Sequence, residues 1–506
     1  MNSTFFGLEL SRRALESQQA ALNTTGHNIS NANTQGYTRQ IANLTATTPY
    51  TIPVMGRNLS LGSGVSMDTI TRARDAFVDR QLRGETSNQQ YWTSRQTSLS
   101  NIEGVMNEPS DSSLSGAMNN FWTAWSDLSA NPENSGARSV VQERATALTD
   151  SFHSISQQLT TVQSDLDFDV KTQISQINIY ANQIASLNNQ IKAAQVTGDN
   201  PNDLLDSRDN LVDELSKIVS VKVTETPDPS FSNGLVNDFR LDIGTTPQTL
   251  VKDGVASQLV GVPDALPGLG GNVITDIQWA AGTPNGLGGN LLAPDAQKGT
   301  LQADIDIRDK DLPTLSGKYD ALASGIVTAV NDIHENGTVT GTATTGIPFF
   351  DPANLTASTI SLDSTSTNPV DASTATNINN IVTGDGTSGD GSIAAQIASL
   401  STGWSSLTGA DLTNMQANYG SSLGDSYGAT VSQFGADVQQ ANNMKSGEDL
   451  LVTNLTNQRD AQSGVSLDEE MTNLVQYQKS YAAAARMVTM MDDMLNTIVN
   501  GMGITR

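Results

Sequence analysis

The chain reads as mainly α-helical with β insertions: an elongated, multidomain protein whose N- and C-terminal helices pair as a coiled coil. Three observations carry this. From Leu474, the residues Tyr477, Tyr481, Ala484, Val488, Met491, Leu495, Ile498 and Met502 recur at steps of three and four, the spacing of a coiled-coil seam. At the other end Leu8, Leu15, Leu22 and Ile29 recur every seven residues, with Ala14 and Ala21 beside them. Either stripe alone also fits an ordinary core face of a helical bundle. The third observation is composition. A chain of 506 residues exceeds one core, and 37% hydrophobic with 5% aromatic residues suits slender bundles and thin β modules better than a compact enzyme.

Taken in order, the first helix runs into the Asn-dense string His27-Asn-Ile-Ser-Asn-Ala-Asn-Thr-Gln-Gly-Tyr-Thr-Arg39. Asn side chains bond nearby backbone and Gly36 permits a turn, so this segment is expected to stop the helix and set its exit path. Short extended pieces follow from Ile41 to Ile70, broken by Pro49, Pro53, Gly56, Gly62 and Gly64. A long helical block is expected from about Thr71 to Ser220, with breaks near Pro109 and Asn131-Pro132. At its centre Phe152, Ile155, Leu159, Val162 and Leu166 keep heptad spacing, and the shift at Val170, Ile174 and Ile177 is a stutter. Pro201 then opens a helix whose Asp203, Asp206 and Asp209 are expected on its exposed side, opposite Leu204, Leu205, Leu211, Val212 and Leu215. The cluster Asp206, Arg208 and Asp209 reads as solvated surface pairs.

Alternation from Val221 to Gly299, as at Phe239, Leu241 and Ile243, predicts a β module. Helix returns with Leu312, Leu315, Tyr319, Leu322, Ile326, Ala329 and Ile333, again at threes and fours, and Pro313 marks a kink or a second start. Residues 337–391, rich in Thr, Ser, Asn and Gly, read as a second, partly irregular surface insertion. Helix resumes by about Asp411, and Gly464 turns the chain into the final helix, with Ser466 as N-cap and Asp468, Glu469 and Glu470 in the first turn. The expected division is a terminal coiled-coil domain (1–60 with 464–506), a helical rod domain (61–220 with 299–336 and 392–463), a β-rich insertion (221–298) and the second insertion (337–391). The β module's ends return to one helical domain, so its deletion is expected to leave the rest folded.

The chemistry is sparse. The formal charge is −26, and between Lys318 and Lys445 no Lys or Arg offsets eleven carboxylates, which excludes a nucleic-acid groove there. Cysteine is absent, so no disulfide framework or thiolate metal site exists. The histidines His27, His153 and His334 lack metal-ligand spacing. Gly268–Gly271 and Gly286–Gly289 lack the rest of any phosphate-binding motif and read as β-turns, and Asp385 and Asp390 do not form an EF-hand loop. Neither a nucleophile elbow nor a cofactor motif is readable, so no enzyme and no cofactor is expected. No apolar run of 18 residues exists to span a membrane, and Glu9, Arg12 and Arg13 interrupt any secretory h-region.

The string NISNANTQGYTR, with Asn28, Asn31, Asn33, Gly36 and Tyr37, closely resembles the N-terminal signature of bacterial flagellar axial proteins. The segments from Ile177 and Asn200, and the stretch SGVSLDEEMTNLVQYQKSYAAAARMVTMMDDMLNTIVNG from Ser463, resemble one family among these, the hook-filament junction proteins or hook-associated protein 1. The resemblance implies a structural, non-enzymatic extracellular subunit of the flagellum, assembled as a ring of its own copies between hook protein and a second junction protein. It also implies type III export without a cleavable signal peptide, and an export chaperone at the C-terminal helix. A hook or distal rod protein is the alternative, against which the Asn200 to Val223 segment argues; an exported binding module or enzyme would need a convergent site in the insertions.

The seams themselves are the expected assembly interface. Full burial of a large apolar side chain contributes about 1.5–3 kcal/mol, while ordering each of ~35 residues costs about 1–2 kcal/mol of backbone entropy. Two narrow stripes do not clearly win that balance alone, so the terminal seams are predicted to be largely disordered in the free subunit and to become ordered on assembly.

Overall fold

The structure is a computed structural model that describes residues 6–54, 57–231, 236–244, 248–264, 267–281, 289–290, 298–374 and 377–501. Helix α1 (Phe6–Asn31) leads to the antiparallel pair β1 (Gln40–Ala46) and β4 (Val65–Arg72), between which β2 (Tyr50–Val54) and β3 (Arg57–Leu61) form a separate two-stranded ribbon. The helix thus runs through the first Asn residues of the signature and stops at Asn31.

The helical block follows as α2 (Ala76–Met106), α3 (Leu114–Ala130), α4 (Ser135–Val196) and α5 (Asn202–Ile218). Caps explain the boundaries. Asp75 accepts from the Phe77 amide at the start of α2, Asn107 closes it in a left-handed conformation, and Asn134 accepts from Gly136 and Ala137 at the start of α4. Helix α4 crosses the stutter without a break, and its 62 residues extend for about 90 Å. Strands β5 (Val221–Pro227), β6 (Asn237–Ile243), β7 (Gln248–Lys252) and β8 (Val255–Ala256) form one antiparallel sheet; β9 (Leu259–Pro263), β10 (Thr275–Trp279) and β11 (Gly289–Asn290) form another. Then come α6 (Thr300–Asp306), a π-helical turn at Ile307–Asp311 and α7 (Leu312–His334), where Pro313 sits in the first turn and so marks a second start. Helices α8 (Ser392–Ser399), α9 (Gly409–Tyr419), α10 (Leu423–Ser463) and α11 (Leu467–Gly501) complete the chain.

Helix α10 lies along α2, and α11 along α1, so both chain termini return to the same end. Two cores hold the rest together. One joins α2, α3, the first half of α4 and α7 through Leu99, Ile102, Phe121, Trp125, Phe152 and Ile326. The other joins the second half of α4 to α5 and the sheets through Ile177, Val212, Leu215, Leu241, Leu250 and Trp279.

Both insertions differ from the sequence expectation. Residues 337–391 are poor in regular structure but are not a surface appendage, because Phe349, Phe350, Ile360, Val370 and Val382 are fully buried in the first core. The buried His334 holds them: its Nδ1 faces the Ile347 carbonyl at 2.6 Å, and its Nε2 accepts from the Val382 amide at 2.9 Å. The ends of the β module do adjoin, since Gly299, at φ +88°, sits where a Cβ would press within 2.4 Å of the Ile218 carbonyl. Yet the module shares its core with α4 and α5, so removing it would expose Ile174, Ile177, Ile184 and Val212. The shared core argues against a harmless deletion; removal of the module is expected instead to destabilise α4 and α5.

Candidate assembly interface

Helices α1 and α11 lie side by side, and neither predicted seam is closed. Leu474, Tyr477, Tyr481, Val488, Met491 and Leu495 are half-buried, Ala484 is buried, and Ile498 is 46% exposed; Met502 lies outside the described residues. On α1, Leu8, Leu15, Leu22 and Ile29 are likewise half-buried, whereas the deepest positions are Ser11, Ser17, Ala21, Thr24, Thr25 and Asn28. The reason is the second neighbour of α1. The β1–β4 pair also packs on it, and small side chains permit that approach, as where the Ser17 hydroxyl donates to the Val65 carbonyl. Beside the α11 seam, Met487, Met490 and Met494 add a second exposed apolar line.

The signature residues build the exit of α1. Asn28 is 1% exposed and uses both ends of its amide: Nδ2 donates to the Gln40 carbonyl (2.8 Å) and Glu470 Oε2 (3.2 Å), and Oδ1 accepts from the Gln40 amide (2.9 Å) and the Tyr37 hydroxyl (2.8 Å). Asn31 donates to the His27 carbonyl and accepts from Thr34, while Asn33 is exposed. Gly36 turns at φ +75° against the Asn210 side chain, 3.1 Å from where a Cβ would stand. Burial, and then the carboxylates of Asp203, Asp206 and Glu470, raise the Tyr37 pKa and keep its hydroxyl a donor.

Glu470, in the first turn of α11, is more than a helix-end charge: it is 2% exposed and binds Arg39 Nε at 2.8 Å as well as Asn28. The Arg39 amide donates to the Ser463 carbonyl at the α10–α11 corner. The terminal helices are thus tied to each other by polar contacts at one end and by half-covered apolar seams along the rest.

The signature loop and the end of β4 sit on α5, where the reading of Asp206, Arg208 and Asp209 as solvated pairs is overturned. All three are buried. Asp206 accepts from the Thr38 amide (2.9 Å) and from Arg72 (2.9 Å); Asp209 accepts from Arg72 and Arg74 (2.7 Å each); Arg83 reaches Asp213 at 2.6 Å; and Arg208 pairs with Glu225 while lying over the Phe239 ring. Burial opposes ionisation of Asp209, but the guanidiniums of Arg74, Arg72, Arg208 and Arg83 outweigh it and hold the carboxyl well below the usual range. A signal was present in the sequence. Asp206, Asp209 and Asp213 step by three and four, which places them on one helix face, and Arg72 and Arg74 stand together at the end of β4.

Two clefts flank this join. One, of about 940 Å³, lies between β4, α5 and the first sheet; the other, of about 520 Å³, lies between the signature loop and the α10–α11 corner. Both are lined by charges of mixed sign that are already paired across the join, such as Arg72, Arg74 and Asp213. Among the described residues, no group of three His, Asp or Glu side chains is arranged to hold a metal, and no helix is long and apolar enough to cross a membrane.

Comparison with known proteins supplies the context. The family described as flagellar hook-associated protein FlgK helical domain matches residues 99–350; flagella basal body rod protein matches 8–38, and flagellar basal body rod FlgEFG protein C-terminal matches 457–501. Flagellar hook-associated protein 1 of Bacillus subtilis is 34% identical over all of this chain and 99% of its own length. The Escherichia coli protein of that name is 28% identical over 96% of this chain and 98% of its own, and that of Salmonella typhimurium is 32% identical over 64% of this chain and 55% of its own. The solved flagellar hook junction protein FlgK of Burkholderia pseudomallei, 16% identical, shares the fold with a TM-score of 0.59, over 76% of this chain and all of that one.

Proposed function

The chain belongs to the flagellar hook-associated protein 1 family, and on that premise we propose that it is a structural subunit joining the flagellar hook to the filament, assembled as a ring through its terminal helices. The observation that carries this is the unfinished seam: α1 and α11 pair, yet Leu8, Leu15, Leu22, Ile29, Leu474, Tyr477, Tyr481, Val488, Met491 and Leu495 remain half-buried. Neighbouring copies, the hook protein below and a second junction protein above would supply the missing cover. The same open face on α11 suits an export chaperone before assembly, and passage through the type III export apparatus without a cleavable signal fits a chain whose first helix is also an assembly element. The rod and insertions act as a non-enzymatic body that spaces and stiffens the ring.

Electron microscopy of intact flagella carrying a labelled copy of this chain tests the placement. Label confined to the tip of the hook is the expected result; label along the filament or along the hook would overturn it. The interface itself is tested by Leu495→Asp, expected to yield a soluble, folded monomer that fails to enter the flagellum.

A further inference from the structure

Methionine is unevenly placed in this chain. Thirteen occur in 506 residues, and Met487, Met490, Met491 and Met494 fall within eight consecutive positions of α11. With about 3.6 residues per turn these four span about 100° of the helix, so their thioethers stand on one face over two turns. Cysteine is absent, which leaves the thioether as the softest nucleophile the chain offers.

Burial divides the methionines. Met106, Met118 and Met415 are at most 5% exposed in the first core. Met490 and Met494 are 53% and 51% exposed, and Met487 is 38% exposed. Met491, between them, is half-buried because its side chain lies over Gly7 of α1, with Sδ 2.9 Å from where a Cβ on that glycine would stand. The pairing of α1 with α11 thus covers one side chain of the four and leaves the other three facing solvent. Those three stay accessible whether the terminal pair is closed or open. Oxidation of a thioether turns a flexible apolar side chain into a polar sulfoxide, and Met-rich interfaces are where that change disrupts packing.

We propose that Met487, Met490 and Met494 form an oxidation site at which hydrogen peroxide blocks the covering of α11 by another subunit; the consequence rests on the reading of α11 as an assembly face. In each reaction a lone pair on Sδ attacks one peroxide oxygen, and the S–O bond forms as the O–O bond breaks. The departing hydroxide takes the proton from the sulfur-bound oxygen, which gives a sulfoxide and water. Sulfur is oxidised by two electrons and the peroxide is reduced by two. Three sulfoxides then place strong acceptors along a line that was apolar, and a neighbour's apolar side chains would have to bury them without donors.

Limited hydrogen peroxide treatment of the purified full chain, followed by peptide mass spectrometry, tests the site. Met487, Met490 and Met494 are expected to become sulfoxides at least about tenfold faster than Met106, Met118 and Met415, and equal rates overturn the proposal. The consequence is read by adding labelled chain to cells without their own copy and measuring label at the hook tip. Treated wild type is expected to keep less than about a tenth of its untreated incorporation, and the triple variant Met487→Leu/Met490→Leu/Met494→Leu, apolar but without sulfur, at least about half of its own. Equal loss in the two proteins, or full retention by treated wild type, overturns it. A second measurement needs no variant: methionine sulfoxide reductases acting on both sulfoxide epimers are expected to restore incorporation to treated wild type, and no recovery after complete reduction counts against the proposal. Failure of the assembly reading looks different, because untreated chain would then not enter at the hook tip while the mapped oxidation rates still separated the two groups.

Discussion

Helices α7 and α11 carry the same pattern and meet different fates. Both place apolar residues at alternating steps of three and four. On α7, Leu312, Leu315, Tyr319, Leu322, Ile326, Ala329 and Ile333 are all at most 6% exposed, enclosed by α3, α4, α10 and the 337–391 segment. Among the described seam residues of α11 only Ala484 reaches comparable burial. Heptad spacing therefore reports that a helix has an apolar face to cover, but not whether the cover comes from the same chain. In α7 the chain completes its own core; in α11 the face stays half open, and the proposed assembly would cover it.

The sharpest way to break this contrast is a charge on each stripe. Ile326→Asp should destabilise the monomer by at least about 4 kcal/mol, since it places an unpaired carboxyl in a closed core. Leu495→Asp should cost about 1 kcal/mol or less in the monomer, because its site is only half-covered. Denaturant midpoints of the two purified variants decide it; equal losses would erase the distinction. Hydrogen exchange on the wild-type monomer extends the comparison, with strong protection expected in α7 and weak protection from residue 474 to 498.

Between these two regions stands the buried charge cluster on α5. Asp209→Asn leaves Arg72 and Arg74 without their shared carboxylate and is expected to cost about 3–5 kcal/mol, loosening the terminal pair from the body. Exchange that rises in β1, β4 and α5 but not in α7 would locate the effect; uniform exchange would contradict it.

The body should also respond to acid in a way the terminal pair does not. Burial lowers the His334 pKa to about 4 from an ordinary 6.5, against smaller opposing effects of the Ile347 carbonyl and Asp363. The neutral ring is the form that accepts from Val382, so its stabilisation is complete above pH 6.5, declines as pH falls from there toward 4, and is lost below. About 3 kcal/mol is at stake. Melting temperature against pH should fall across that window in wild type and lose this component in His334→Gln.

The smallest effect concerns the signature loop. Tyr37→Phe removes one donor to Asn28 Oδ1, which keeps the Gln40 amide, and the part-buried contact of the hydroxyl with His27 Nδ1 at 3.0 Å, so a loss of about 1 kcal/mol is expected. A loss several times larger in a denaturant titration would mean that Tyr37 does more than satisfy these two contacts.

The amino-acid pattern by itself determined the helical class, the paired ends, the positions of the main breaks and the absence of readable catalytic chemistry. These follow from local periodicity and from residues such as Pro109, Pro132 and Gly464, whose conformational preferences act within a few positions of the chain. Three things were decided only by tertiary structure. Residues 337–391 look polar and loose in sequence, yet Phe349, Phe350 and Val382 close a core whose other walls are α3, α4 and α7. Asp206 and Asp209 look like surface charges until β4 brings Arg72 and Arg74 against them from more than 130 positions away. And the small residues of α1, not its leucines, are buried deepest because α1 is pressed by a strand pair as well as by α11. In each case burial depends on which distant segment arrives at the other side, and local spacing carries no record of that.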